Sequence, residues 1–360
     1  MADDVPRLDA LDGWLPPEAQ PRWYGAPESE RALLDAYRGG RMHHAWLLGG
    51  PKGIGKATLA YRFARFALAN PDPSSATVRA AKDLSVPEDG PAFRRVAGRA
   101  HPNLLAMERP WDDKYKRYKS ELPVDEVRRT VGFFGSTGGE GGWRIAIVDP
   151  ADEMNASAAN ALLKVLEEPP ARSLFLVLSH SPGRLLPTIR SRCRRLDLPV
   201  LGTDAIATAI ADNGGIDASE EDVRLASILA EGSLRRAILL LSGGGIGTYR
   251  DFARLAARLG DADVPAMHAL ADRVSGRNAD DAYYAFLDTV RSWLARRVRS
   301  EDEPVAGARP DAAIRAVPLA RWAEVWDKVA QSSTVAEDLN LDRKQVVLSI
   351  LMSLARAARM

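Results

Sequence analysis

The stretch "AWLLGGPKGIGKATLAYRFARFALA", residues 45–69, determines the fold class of this chain. Its first apolar residues, Ala45 to Leu48, predict a buried strand, and its second half carries apolar side chains at helical spacing. Between them, Gly50 and the pair Gly55 and Lys56 have the spacing of a phosphate-binding loop. A strand, a glycine-rich loop and a helix in this order predict a phosphate-loop domain.

The loop is the predicted nucleotide-binding site. Its glycines let successive backbone N–H groups point at phosphates, the start of the helix contributes the positive end of its dipole, and Lys56 adds a charge near the β- and γ-phosphates. An ordinary glycine-rich turn is the alternative, which the flanking strand and helix make the weaker interpretation. The predicted nucleotide-binding residues are Gly50, Pro51, Lys52, Gly53, Ile54, Gly55, Lys56, Ala57, Thr58 and Asp149.

Ala57 departs from the pattern of an active site. A hydroxyl at this position ligates Mg²⁺ in a working phosphate loop, and alanine has none. The neighbouring Thr58 projects about 100° further round the helix, so it is a poor substitute. We therefore expect weakened coordination of Mg²⁺.

The strand "RIAIVD" ends in the second element of the site. Asp149 has the position of the acid that holds Mg²⁺, but the next residue, commonly a water-orienting Glu in active ATPases, is Pro150. Asp152 and Glu153 follow closely and could replace the missing acid, although acidic residues are also favoured at a helix start. The sequence therefore predicts a site that holds ATP or ADP weakly and hydrolyses it poorly or not at all.

Composition excludes several classes of protein. The 360 residues, 46% of them hydrophobic, are enough for about two or three domains with their own cores. The formal net charge is +1, so any nucleic-acid contact has to come from a local patch. One cysteine, Cys193, excludes an intramolecular disulfide and fits a reducing compartment. No signal-like or membrane-length apolar run occurs, which predicts a cytoplasmic protein without membrane contact.

Strands alternate with helices as far as residue 202, which predicts a mainly parallel sheet with helices on both faces. From residue 203 onwards the pattern is helical only. The predicted division is an N-terminal arm over 1–27, an α/β nucleotide-binding domain over 28–202, a small helical domain over 203–246 and an all-helical domain over 247–360.

Several local features carry their own expectations. Residues 70–100 predict an irregular insertion, and "STGGEGGW", residues 136–143, predicts a surface turn. The predicted helix caps are Thr203, Ser219 and Ser233. A hinge is expected at Gly243, Gly244, Gly245 and Gly247. The last helix is expected to present one apolar face formed by Val347, Ile350, Leu351, Leu354 and Ala358.

Four motifs, "GPKGIGKAT", "NALLKVLEEPP", "TIRSRC" and "EGSLRRAI", occur in this order. Together they resemble the clamp-loader branch of the AAA+ ATPases. The resemblance covers roughly residues 25–242, and the tail "LNLDRKQVVLSIL" is more loosely similar to the helical collar that joins clamp-loader subunits into a ring. It implies an AAA+ domain, a helical lid and an all-helical oligomerisation collar.

The resemblance also assigns roles to residues outside the loop. Arg192, in the triplet Ser-Arg-Cys, corresponds to the arginine that projects toward the nucleotide of the neighbouring subunit. Ser179 corresponds to a polar sensor of the γ-phosphate, with His180 as the alternative, and Arg235 to the sensor arginine of the lid. Without the resemblance, the arginines around residue 192 would be interpreted as a solvated basic face.

By resemblance, the chain is a largely non-hydrolysing subunit of the clamp loader of the replicative DNA polymerase, which places a ring-shaped sliding clamp on primed DNA. The implied partners are gamma or tau subunits, a delta subunit, the clamp, and primer-template DNA contacted through the assembly. Related subunits often carry a four-cysteine zinc module where this chain has residues 70–100, and the lack of cysteine there predicts no zinc.

Two other functions stay open from the sequence. The chain could be an active clamp-loader or replication-fork ATPase of the gamma type, or a nucleotide-binding scaffold outside replication. The histidines lack metal-ligand spacing, and Cys193 is expected to be a packed side chain because no activating partner is evident.

Overall fold

In the computed structural model, residues 7–40, 42–135, 142–261, 263–276, 280–305, 308, 310, 312–338 and 342–359 are described. The chain forms two compact units. Unit 1 comprises Met1–Gly215 and Gly232–Arg235, and unit 2 comprises Ile216–Glu231 and Arg236–Met360. The short segment 232–235 therefore returns to unit 1, and the predicted four-part division stays a prediction.

The described residues of unit 1 form seven strands: β1 (Ala45–Gly49), β2 (Leu104–Met107), β3 (Trp111–Asp112), β4 (Arg117–Tyr118), β5 (Arg144–Val148), β6 (Ser173–Ser179) and β7 (Arg194–Asp197). Five of them form one sheet in the order β2-β5-β6-β1-β7, and every pairing in it is parallel. The predicted parallel sheet is confirmed. The short β2 and the antiparallel hairpin β3–β4 were not predicted, because strands of four and two residues are too short for a clear period.

The helices of unit 1 are α1 (Pro27–Arg38), α2 (Lys56–Ala69), α3 (Ala76–Ala80), α4 (Pro91–Ala97), α5 (Val124–Gly135), α6 (Ala156–Glu167), α7 (Pro187–Arg192) and α8 (Thr203–Asn213). They cover both faces of the sheet, as alternate strand residues show. Trp46 and Leu48 pack in one buried cluster with α1 and α2, whereas Ala45 and Leu47 pack in a second one with α5 and α6.

The helices in the remainder of the chain are α9 (Glu220–Leu229), α10 (Leu234–Ser242), α11 (Gly245–Ala256), α12 (Val264–Val274), α13 (Asp280–Val298), α14 (Ala312–Ala316), α15 (Leu319–Asp338) and α16 (Arg343–Arg359). Helices α11 to α16 share one core, in which Trp293 packs edge-on against Trp322 with ring centroids 5.3 Å apart. All five residues predicted for the apolar face of the last helix are buried. None of the helices described is long and apolar enough to cross a membrane.

The structure corrects two local predictions. Residues 70–100 are not an irregular insertion: they contain α3 and α4, and Val78, Leu84 and Val96 are completely buried in the cluster around α2. Thr203 is the first residue of α8 and not its cap, since the cap position is Gly202. Ser219 is confirmed as a cap, because its hydroxyl accepts a hydrogen bond from the backbone N–H of Asp222 at 3.1 Å.

Two further predictions, the glycine hinge and the surface turn at residues 136–143, stay predictions. Helix α11 begins at Gly245, so two of the four glycines of the predicted hinge, Gly245 and Gly247, are helical. Gly244, at the cap position of this helix, has a φ of 68°. Whether this cluster acts as a hinge stays a prediction. Residues 136–141 of the predicted surface turn lie outside the described part of the chain.

Candidate nucleotide-binding site

The phosphate loop joins β1 to α2 and needs glycine at residues 53 and 55. Gly53 and Gly55 have φ values of 83° and 88°, a region that residues with a side chain rarely adopt. A Cβ at Gly53 would lie 2.2 Å from the hydroxyl oxygen of Ser233 and 2.7 Å from the Cβ of Arg235. The curled backbone and the close approach of segment 232–235 therefore both depend on the missing side chain.

Lys56 lies at the centre of the loop. Only 4% of the residue is exposed, and its ammonium group donates hydrogen bonds of 2.6 Å to the carbonyls of Gly50 and Pro51. Burial lowers the pKa of Lys56 to about 8, against the opposing attraction of Asp149 and Asp152. The lysine is thus still charged near pH 7, and its protons point at the carbonyls of its own loop.

Asp149 follows β5 and lies close enough to Lys56 for their charges to interact. Burial and, after it, the negative charge of Glu108 raise the pKa of Asp149 to about 7 against the opposing effect of Lys56. Asp149 would have to lose its proton before its carboxylate could bind a metal ion. The glycine cradle and the lysine fit a phosphate group, whereas Ala57 brings no hydroxyl for Mg²⁺.

An apolar cleft lies beside the loop, and the sequence reasoning missed its lining. The cleft is bounded by Trp14, Trp23, Tyr24, Ile54, Leu201 and Leu234, together with Thr58 and several smaller contacts. Its cavity volume is about 30 Å³, so its aromatic and apolar walls would have to move apart before a nucleotide base could enter. The available signal in the sequence was the pair "WY", residues 23–24, in the predicted N-terminal arm.

The two acidic residues after Pro150 are engaged within the chain. Asp152 accepts hydrogen bonds from the hydroxyl of Ser179 at 2.8 Å and from the backbone N–H groups of His180 and Ser181. Glu153 forms an ion pair of 2.6 Å with Arg109. These contacts favour structural roles for both carboxylates over the role of a water-orienting base.

The predicted sensor residues lie at the end of β6, where Ser179 pairs in register with Gly49 of β1. The carboxyl ends of adjacent parallel strands thus bring the sensor position next to the loop. Ser179 is fully buried and bonded to Asp152. Burial and, after it, the positive charge of Lys56 lower the pKa of His180 to about 4, so His180 is neutral near pH 7.

Arg235 also lies beside the loop. Its backbone N–H donates to the carbonyl of Gly53 at 3.3 Å, and its guanidinium group lies 3.3 Å from the carboxylate of Asp9. The structure therefore places Arg235 at the predicted site, although Arg235 lies 182 residues after Gly53 in the sequence.

Arg192 ends α7, and its contacts lie away from the loop. Its guanidinium donates to Glu167 at 2.7 Å and to the backbone carbonyl of Thr188 at 3.1 Å. About a third of the side chain is exposed, 35%. The next residue, Cys193, packs against the core, and burial raises the pKa of its thiol to about 12, as expected for an unreactive cysteine.

The neighbouring arginines have other contacts. Arg194 stacks over the ring of Trp46 with its guanidinium carbon 4.7 Å from the centroid, and Arg195 pairs with Asp197 at 2.7 Å. The basic stretch is therefore partly structural. Within the described residues, no group of three or more His, Cys, Asp or Glu side chains is arranged to hold a metal ion.

The family model described as "DNA polymerase III, delta subunit" matches residues 25–202. The chain is 37% identical over 188 residues to the DNA polymerase III subunit delta′ of Pseudomonas aeruginosa, covering 51% of this chain and 53% of the relative. It is 32% identical over 175 residues to the subunit of the same name from Escherichia coli, covering 48% of each. The chain thus spans about half the length of the relatives that it matches.

Among solved structures, a gamma-subunit-related protein of Thermotoga maritima is similar with a TM-score of 0.45 and 15% identity, covering 91% of this chain and 99% of that one. The parallel sheet and the helices on its two faces establish the fold class. The motifs, the matched region and the relatives agree with one another. Residues 25–202 are thus similar to DNA polymerase III subunits of the delta and delta′ type, in agreement with the resemblance of the motifs to clamp-loader proteins.

Proposed function

We propose that this chain is a delta′-like clamp-loader subunit of the bacterial replicative DNA polymerase, and that it supports loading of the sliding clamp without hydrolysing much ATP itself. The observation that carries the proposal is the composition of its own site. The phosphate cradle is complete, but residue 57 lacks a hydroxyl, and Asp152 and Glu153 are both bonded within the chain. A site of this kind holds a nucleotide more readily than it activates water.

Binding would use the residues around the loop. The N–H groups between Gly50 and Lys56, with the lysine ammonium, would hold the phosphates, and the cleft lined by Trp23 and Tyr24 would receive the base once its walls have moved apart. A bound ATP would supply a triphosphate whose Mg²⁺ has one protein ligand fewer than in an active site. Asp149 would assist only after losing its proton.

The proposed contribution to hydrolysis is made to a neighbouring subunit. Arg192 is partly exposed and its contacts are with Glu167 and Thr188, so rotation of one surface side chain would direct it at a partner. A fixed guanidinium near a γ-phosphate neutralises the charge that develops in phosphoryl transfer and increases the rate by about 10³–10⁵ where such arginines are essential. The proposed partners are gamma or tau and delta subunits, the clamp and primer-template DNA in the cytoplasm.

The test is to replace Arg192 by Ala in the assembly reconstituted with gamma and delta subunits, and to measure DNA-stimulated ATP hydrolysis. We expect the site next to this subunit to lose at least about 10³ of its rate. Arg195→Ala is the matched control, because Arg195 lies in the same basic stretch but pairs with Asp197.

Three results would contradict the proposal. Unchanged hydrolysis in the Arg192→Ala assembly would remove the role in trans. Turnover by the isolated chain of about 1–100 s⁻¹, typical of enzymes for phosphoryl transfer, would favour an active ATPase of the gamma type instead. Failure to assemble with gamma and delta subunits would favour a scaffold outside replication.

A further inference from the structure

The N-terminal segment, defined here as residues 7–24, is attached to the nucleotide-binding domain through its backbone. Arg65 on α2 donates to the carbonyls of Glu18 and Gln20, and Arg62 on the same helix donates to the carbonyl of Pro21. Both arginines are buried. Buried guanidinium groups that bond to main-chain carbonyls hold the path of a segment whatever its own secondary structure.

Glu18 fixes the same segment through its side chain. It is completely buried, and its carboxylate pairs with Arg7 at 2.6 Å and with Arg99 at 2.7 Å. Because the residues on either side of Asp9 are thus anchored, the position of Asp9 follows from the fold and not from a freely moving tail.

Asp9 lies at the phosphate loop. Its carboxylate is 3.2 Å from the ammonium nitrogen of Lys52 and 3.3 Å from the guanidinium of Arg235, which also donates to the backbone carbonyl of Asp9. The backbone of Asp9 is in the left-handed region with a φ of 57°, which aspartate tolerates better than most residues. Two ion pairs of its carboxylate and one hydrogen bond to its backbone carbonyl thus hold Asp9 at two cations of the predicted nucleotide site.

Asp9 therefore bonds to the same side chains, Lys52 and Arg235, that would bond to a phosphate. A carboxylate offers lysine and arginine the same charge-assisted hydrogen bonds as a phosphate oxygen does. Lys56 is meanwhile bonded to two carbonyls of its own loop. Lys52, Lys56 and Arg235 therefore all have oxygen partners from within the chain.

We propose that the N-terminal segment is an internal competitor of nucleotide, in which Asp9 holds Lys52 and Arg235 until the phosphates of ATP or ADP displace it. This inference rests on the nucleotide site of the proposed function, though not on the role of Arg192. Binding of nucleotide would release the segment around Asp9. The free energy of nucleotide binding would be less favourable by the free energy of the contacts that are broken, so the apparent affinity would be lower.

The charge state of Asp9 is consistent with this competition. Burial raises the pKa of Asp9, but the positive charges of Arg235 and Lys52 outweigh burial, so the pKa lies below its ordinary value. Asp9 is therefore an anion at neutral pH, as a competitor of phosphate has to be.

The experiment measures binding of a fluorescent ATP analogue to the full chain, with and without Mg²⁺, for the wild type, Asp9→Ala and Asp9→Asn. Each exposed ion pair contributes little, so loss of both should increase the affinity by about 3- to 10-fold. Asp12→Ala is the matched control, because Asp12 is an exposed aspartate of the same segment, and it should leave the affinity unchanged. Lys56→Ala should abolish binding in the wild type and in the Asp9 variants.

Asp9→Asn keeps the size of the side chain, so it serves if Asp9→Ala fails to fold. Equal affinity of the wild type and both Asp9 variants overturns the inference, and so does a failure of all three to bind nucleotide. Hydrogen exchange gives a second measurement: saturating nucleotide should speed the exchange of residues 7–12, and unchanged exchange contradicts release of the segment. None of these readings needs gamma or delta subunits, so failure of assembly and failure of this inference are distinguishable.

Discussion

Gly53→Ala is the perturbation whose cost the structure specifies most directly. The φ of 83° at this position costs about 1–2 kcal/mol for a residue with a side chain. The new Cβ would also lie 2.2 Å from the hydroxyl oxygen of Ser233, 2.7 Å from the Cβ of Arg235 and 3.5 Å from its backbone nitrogen. A distance of 3.5 Å is an ordinary contact and a hydroxyl can rotate away, but the Cβ of Arg235 can move only with the chain, and overpacking of this kind costs about 1–3 kcal/mol.

The sum is about 2–5 kcal/mol of destabilisation for unit 1. For a domain of about 150–250 residues this corresponds to a fall in Tm of about 4–20 °C. The assay is thermal unfolding followed by circular dichroism, with urea unfolding of the same protein as a second measure. Gly183→Ala is the matched control, because no atom lies within 4 Å of a Cβ built there, and its φ is not in the left-handed region.

The reasoning would be refuted by a Gly53→Ala variant with the Tm of the control. That result would mean that segment 232–235 does not pack on the loop as described. A Tm that falls while nucleotide binding is retained would instead separate the packing role of Gly53 from its role in the phosphate cradle.

Two other predictions follow from single groups. Asp149 holds its proton more tightly in the folded chain than in the unfolded one, since its pKa is about 7 and not the ordinary 3.8, so its contribution to stability falls as the pH rises from about 4 to about 7. We therefore expect Asp149→Asn to raise Tm relative to the wild type more at pH 8 than at pH 4, and an equal difference at both pH values would contradict the burial of this carboxyl. Ser219→Ala should cost about 0.5–2 kcal/mol in urea unfolding because the bond to the N–H of Asp222 is lost, whereas Thr203→Ala should cost less, since Thr203 does not cap its helix.

The pairing of Arg192 with Glu167 bears on the role that we propose for Arg192. Glu167 belongs to the motif "LLKVLEEPP" and Arg192 to the triplet Ser-Arg-Cys, so the two most specific motifs of the chain meet in space. Ion pairs between exposed side chains are worth about 0.2–1 kcal/mol. A pair of that strength holds the guanidinium in place and still releases it to a stronger anion.

The position of the phosphate loop could be predicted because all its determinants are close together in the sequence. The apolar run of β1, the glycines with left-handed backbone and Lys56 at the helix start lie within residues 45–56. Each of them acts on its own stretch of backbone. The parallel sheet followed for a similar reason, because alternating helices and strands leave little choice of topology.

The contents of residues 70–100 could not be predicted in the same way. Helices α3 and α4 have five and seven residues, too few for a period, and what holds them is the burial of Val78, Leu84 and Val96 against α2. The assignment of Thr203 as a cap was wrong because a serine or threonine before an apolar run marks a helix start only to within a residue or so.

The sequence by itself determined where the phosphate loop lies, which of its catalytic groups are missing and which motif arginines are present, because these are properties of residue identity and short spacing. Only the tertiary structure decided three contacts. Asp152 accepts a hydrogen bond from the end of β6, Arg235 donates a backbone hydrogen bond to Gly53, and Asp9 forms an ion pair with Lys52. These partners come from distant parts of the chain, and which of them meet depends on how the sheet and its helices pack, so no local pattern records it.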